Sequence, residues 1–217
     1  MNEETTPDTP TGLFTPGQWL IAVVTALYML IATPWAWVTG NGEFLFYVLV
    51  MLLLIVAVVA FHLKVRLSTG ALACLSAWGL SHMAGGLMPV PESWPINGET
   101  HVLYSLWLVE GHLKYDHVVH AFGFGVTTWI CWQGLASSIA GGPDRRAVFP
   151  TLGRLTLCAA AGLGFGAMNE IVEFIATLTM PETNVGGYIN TGWDLVANTV
   201  GAVIAAVIIR LGYRPTD

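Results

Sequence analysis

FLFYVLVMLLLIVAVVAFH, residues 44–62, holds nineteen consecutive positions without an Asp, Glu, Lys or Arg. An α-helix rises about 1.5 Å per residue and a bilayer's hydrocarbon core is about 30 Å thick, so roughly 20 such residues suffice to span it. The stretch is bounded by Gly40-Asn41-Gly42 on one side and by Lys64 and Arg66 on the other. Working outward, five more apolar stretches of spanning length follow, at 17–38, 69–89, 115–139, 152–179 and 192–211, separated by turn-forming or charged residues. The expectation is an all-α membrane protein of six transmembrane helices, one domain over 17–211, with an acidic, Thr/Pro-rich disordered tail at 1–16 and a short tail at 212–217.

Composition agrees. Of 217 residues, 54% are hydrophobic and 10% charged, against about 25% charged in a soluble domain. The eight basic residues form no patch, which excludes a nucleic-acid partner. Cys74, Cys131 and Cys158 fall singly in three apolar stretches and read as small buried hydrophobes. Only the connection from 90 to 114 is long. Its stretch HVLYSLWLVEG (101–111) is expected to form a short interfacial helix, with Trp94 and Trp107 at headgroup depth.

Orientation follows from lysine and arginine alone. Lys64, Arg66, Arg145, Arg146, Arg154, Arg210 and Arg214 lie in or beside the second loop, the fourth loop and the C-terminal tail. Lys114 falls on the other side. This positive-inside bias predicts both termini in the cytoplasm.

That topology brings most of the span ionisable groups to one depth in the outer half of the bilayer. His82 lies roughly 10 Å below the outer boundary, and Glu170 roughly 12 Å, from the helical rise. Asp116 and His120, and Asp194 and Asn198, are i,i+4 pairs; Glu170 and Glu173 are i,i+3, with Asn169 beside them. Each pair shares a helix face. A carboxylate well inside a bilayer costs roughly 2.5–3.5 kcal/mol on insertion scales, so these groups must face the bundle and be paired, protonated or metal-bound. Gly123, Gly201 and the Gly162/Gly166 pair lie close by on the same helices and permit close helix approach. Helices 4 and 6 both open Asp-x-x-x-(His/Asn)-x-x-Gly, at 116–123 and 194–201, which suggests that helices 3–4 and 5–6 are parallel repeats.

Three chemistries compete for this layer. Asp116, His120, Glu170 and Asp194, with His82 as a weaker candidate, suit a divalent metal such as Zn, Mn or Fe, with Glu170 and Glu173 as catalytic carboxylates and Asn169 and Asn198 as polar support. Such a site would act on a lipid or lipid-linked substrate at the outer boundary. The same groups could instead relay protons in a small ion- or proton-coupled transporter, or form a structural polar network between helices. His82 is expected to be hydrogen-bonded in the core, and His101, His112 and His117 to be solvated. Glu99 and Glu110 are expected to be ordinary loop charges. The chain contains no HExxH, GxSxG, P-loop or dinucleotide fingerprint.

The run D116-H117-V118-V119-H120, then N169-E170-x-x-E173, then N190-T191-G192-W193-D194-x-x-x-N198-x-x-G201 resembles the YjdF-type group of bacterial membrane proteins. More distantly it resembles the VanZ-like family. The likeness covers roughly residues 65–210. In YjdF-type proteins an Asp-Thr-x-x-Asp run precedes the last helix; here Asn190 stands at the first Asp. The resemblance implies a multi-pass protein of the bacterial inner or plasma membrane and a set of positions, but no activity.

Overall fold

The computed structural model describes residues 13–180 and 183–214. Of the tails expected at 1–16 and 212–217, residues 1–12 and 215–217 lie outside the described residues, and Pro16 already belongs to the first helix. Six α-helices occur among those described: α1 (Pro16–Val38), α2 (Gly42–Val65), α3 (Thr69–Leu87), α4 (Tyr115–Ala140), α5 (Leu152–Thr179) and α6 (Tyr188–Leu211). They match the six apolar stretches within a few residues. Each boundary has a local cause. Thr15 and Gln18 form a capping box ahead of Pro16, and Asn41, Ser68 and Thr151 accept hydrogen bonds from the first turns of α2, α3 and α5. Gly141 ends α4 in the left-handed region, at φ 69°.

Four helices, α1, α2, α5 and α6, are long and apolar enough to cross a membrane. α4 is polar along one side, and that side is inside: His117, His120, Thr128, Gln133 and Ser137 are all buried. It packs most extensively on α6, then on α5 and α3. α1 and α2 flank this core and expose large apolar residues such as Leu30, Ile31, Leu53 and Val56.

Glycines set the central contact. Where α4 crosses α6, a Cβ built on Gly125 would lie 3.0 Å from the Gly201 carbonyl oxygen, and one on Gly201 would overlap the Ala121 carbonyl. On α5, a Cβ at Gly162 would run into Thr128 and one at Gly166 into the Asn198 amide. The small residues therefore let three helices approach to backbone contact beside the polar residues.

One end of the bundle gathers the basic loops. Arg66 Nη1 donates to the Leu13 carbonyl (2.9 Å), Arg145 Nη2 to that of Arg66 (3.2 Å), and Arg210 Nη1 to that of Pro150 (3.5 Å). At the other end the long connection folds over α3 and α4, and here the structure corrects the sequence. Residues 101–111 form no interfacial helix. They make a single 3₁₀ turn (Leu103–Ser105) and a strand, β1 (Trp107–Val109), which pairs antiparallel with β2 (Leu113–Lys114). Gly111 turns the hairpin at φ 71°. The segment lays its backbone against the preceding residues instead. Val90 N donates to His101 O (3.0 Å), Leu103 N to Met88 O (3.1 Å) and Trp107 N to Pro95 O (2.9 Å). A one-turn helix would leave these groups unpaired, whereas the β-like cap pairs them.

Candidate functional site

The site is built where α4, α5 and α6 converge beneath the β-like cap. Asp116 and His120 come from the first two turns of α4, Asp194 and Asn198 from α6, and Glu170 and Glu173 from α5. His120 is central. Its Nε2 lies 3.6 Å from Asp116 Oδ1, while its Nδ1 lies 3.1 Å from Asn198 Oδ1 and 3.7 Å from Glu170 Oε1. Two groups of potential ligand atoms, each mutually within 4.8 Å, share this ring: Asp116/His120/Asp194 and His120/Glu170/Glu173. Five of the residues singled out from the sequence thus meet as two triads that share one imidazole, and Asn198 bonds to the same ring.

The repeated octets of α4 and α6 meet at their Asp and His/Asn positions, whereas Gly201 packs on Ala121 and Gly123 on Trp78. Asp116 faces Asp194, and His120 bonds to Asn198, so equivalent positions pair with each other.

Polar partners are unevenly supplied. Asn169 Nδ2 donates to Glu173 Oε1 (2.8 Å), and Asn190 Nδ2 donates to Asp194 Oδ2 (2.6 Å). Both Glu170 oxygens, Asp194 Oδ1 and Asn198 Nδ2 are buried without a hydrogen-bond partner. Buried polar atoms are normally satisfied. Glu170, with neither oxygen paired, and Asp194, with only Oδ2 paired, are buried carboxylates with accepting capacity to spare.

His82 behaves as a core histidine: its Nδ1 shares a hydrogen bond with the Tyr104 hydroxyl, which the cap brings down onto α3. His112 is exposed and His101 half-buried. His117 is not solvated, contrary to the sequence reading. It is 6% exposed, with Nδ1 accepting from Lys114 N at 3.3 Å. One position preceding α4 fixes this, because the ring folds back onto the helix start and under Trp193. Glu99 and Glu110 are exposed, as loop charges should be.

Sequence reasoning missed three residues. Lys114, counted only as an outer charge, is 5% exposed and donates from Nζ to Asp116 Oδ2 (3.1 Å) and to Asn190 Oδ1. Asn190 couples that ammonium to Asp194. Glu43, at the start of α2, accepts from Tyr47 OH (3.3 Å) and Asn184 N (2.9 Å). Its signal was hidden because a glutamate in the first turn of a helix usually serves the helix terminus alone.

A cavity of about 470 Å³ opens onto the site from the capped end, reaching Glu43, Tyr47, His82, Asp116, His120 and Glu173. A helical bundle with a polar, carboxylate-rich cavity between apolar outer helices is the plan of a multi-pass membrane protein with an internal polar site. The chain belongs to the family described as predicted membrane protein (DUF2238), whose model matches residues 18–214. That is a membrane-protein family of unknown function, as the YjdF-type resemblance implied; the match carries no link to the VanZ-like proteins. No curated protein and no solved structure matches the chain.

Proposed function

We propose that this protein spans the membrane six times with both termini in the cytoplasm. In this reading Asp116, His120 and Asp194 hold a divalent cation in the outer half of the bilayer, for chemistry on a lipid or lipid-linked substrate. The observation that carries the metal reading is the pairing of His120 Nδ1 with Asn198 Oδ1, beside the orphaned Asp194 Oδ1. An amide oxygen accepts, so the imidazole proton belongs on Nδ1 and the Nε2 lone pair turns toward Asp116. Metal-binding histidines are oriented in this way, with the distal N–H held by an oxygen. Two carboxylates and one imidazole suit Zn, Mn or Fe. The cation would polarise a substrate oxygen or activate a water entering from the cavity, with Glu173 at the cavity wall as the proton acceptor.

Six spans are supported by α3 and α4 themselves. A helix enclosed by other helices meets little lipid, so its polar side carries no insertion penalty once packed. The clustering of Arg66, Arg145 and Arg210 at the end bearing Leu13 and Pro150 supports a cytoplasmic face there. A bacterial inner or plasma membrane is the proposed location.

Lys114 favours a second reading. Its ammonium already neutralises part of the Asp116/Asp194 charge, as a purely structural network would require. Elemental analysis of detergent-purified protein separates the two. Stoichiometric metal in the wild type, lost in Asp194→Asn, supports the metal site. A well-folded wild type with no metal, whose melting ignores chelator and added divalent ions, refutes it.

A further inference from the structure

The cavity above the site has a chemistry of its own, distinct from the three proposed metal ligands. Three carboxylates reach it, those of Glu43, Asp116 and Glu173, and among the described residues no lysine or arginine lines it. Lys114 sits behind Asp116, in a smaller adjoining cavity of about 170 Å³. Lys114, with or without a bound divalent cation, offsets Asp116 and Asp194 but leaves Glu43 and Glu173 with no lysine or arginine partner among the described residues. Glu170, buried with both oxygens unpartnered, adds to that excess within 4.8 Å of a Glu173 oxygen. Between Glu43 and Glu173 a cationic group is therefore favoured over an anionic one.

Aromatic rings complete the wall. Phe44, Tyr47 and Tyr104 line the cavity, and Phe44 and Tyr47 stand edge to face at 5.9 Å. Glu43 is held against them by Tyr47 OH and by the backbone of Asn184. Each bond takes one lone pair, and a carboxylate has about four, so Glu43 keeps accepting capacity toward the cavity. Aromatic rings beside carboxylates, on a wall without lysine or arginine among the described residues, suit an organic cation.

We infer that the cavity binds an ammonium group, seated between Glu43 and Glu173 against the Tyr47 and Tyr104 rings. This assignment names the substrate class of the site proposed above and rests on that reading only for the opposite end of the ligand. With metal in place, a zwitterionic headgroup fits both ends: its ammonium at Glu43 and its phosphate oxygen toward Asp116, His120 and Asp194. The same ammonium could also arrive as a free amine from the outer side.

The test uses the full chain in lipid nanodiscs. Binding of ethanolamine and choline is measured by calorimetry, and co-purified phosphatidylethanolamine against phosphatidylglycerol by lipid mass spectrometry. Metal content is determined on the same samples. The expected result is enrichment of the amine lipid over the anionic one, with Glu43→Gln lowering amine affinity about tenfold by removing one charge partner. In the substituted side chain the amide oxygen can keep accepting from Asn184 N, and the amide NH2 that replaces the other oxygen can donate to the Tyr47 hydroxyl, so the fold should hold; should it not, Tyr47→Leu removes the ring and serves in its place. Retention of phosphatidylethanolamine without response to free amines identifies a lipid headgroup as the source, and the converse identifies a soluble amine. Equal retention of both lipids with no amine binding, or unchanged affinity in both variants, overturns the inference. Metal content decides separately: amine binding by metal-free wild type would refute the metal reading and leave this one standing, whereas metal without amine selectivity would do the reverse.

Discussion

Replacing Gly201 by alanine probes the contact on which the site depends. The added methyl group would overlap the Ala121 carbonyl oxygen, an atom of the α4 backbone. A backbone atom inside a helix cannot swing aside as a side chain can, so α4 and α6 must part. Overpacking of this kind costs about 1–3 kcal/mol. Gly201 lies three residues beyond Asn198, so parting the helices also stretches the 3.1 Å bond from Asn198 to His120, whose loss adds about 1 kcal/mol. The total is about 2–4 kcal/mol, read as a lower melting temperature by circular dichroism in detergent. Gly164 is the control. Nothing lies within 4 Å of a Cβ built there, so Gly164→Ala should stabilise α5 by about 0.5–1 kcal/mol through backbone entropy. If Gly201→Ala melts with the wild type, or if both variants shift alike, the close α4–α6 crossing is wrong and the convergence of Asp116 with Asp194 goes with it.

Other outcomes follow from the same geometry. Asn198→Ala should fold but weaken divalent-metal binding about 10- to 100-fold in a metal titration, because the His120 ring loses its orienting acceptor; unchanged affinity would remove Asn198 from the site. Lys114→Met should destabilise the metal-free protein by about 1.5–3 kcal/mol through loss of a charge-assisted bond, yet tighten metal binding, since the resident cation no longer competes. A destabilised variant whose melting does not respond to metal would favour the structural network. In chelator-treated protein, Glu170→Gln should melt no lower than the wild type, because it removes a buried carboxylate that has no hydrogen bond to lose and stands 3.7 Å from an imidazole nitrogen already bonded to Asn198. A clear fall would reveal an undetected partner. A reporter active only outside the cytoplasm should be active when inserted after Glu99 and silent after Arg146; the reverse pattern would put the cavity on the cytoplasmic side.

Helix positions were legible because each apolar stretch carries its own stop signals. Thr15, Asn41, Ser68 and Thr151 cap locally, and local chemistry does not wait for the tertiary fold. The i,i+4 spacing of Asp116 with His120 and of Asp194 with Asn198 was equally readable, since it places both members on one face of any helix. The region from 101 to 111 misled because its run of apolar residues fits a helix as well as a strand. Its actual conformation depends on Met88, Val90 and Pro95 offering backbone partners from another part of the chain.

What the sequence determined by itself, then, is local in origin: six helices, the basic asymmetry and the polar faces of α4, α5 and α6. The tertiary structure alone decided which polar atoms found partners. Lys114 looked like a solvated outer charge until α6 brought Asn190 beside it, and His117 looked exposed until Trp193 covered it. Glu170 and Glu173 looked alike, three residues apart on one helix, yet Asn169 bonds to Glu173 and leaves both Glu170 oxygens bare. Spacing along a helix sets which face a side chain occupies, but its hydrogen-bond partners come from whichever helix packs there. Here the glycines at the α4–α6 crossing, a few residues from the site, set how closely that helix can come.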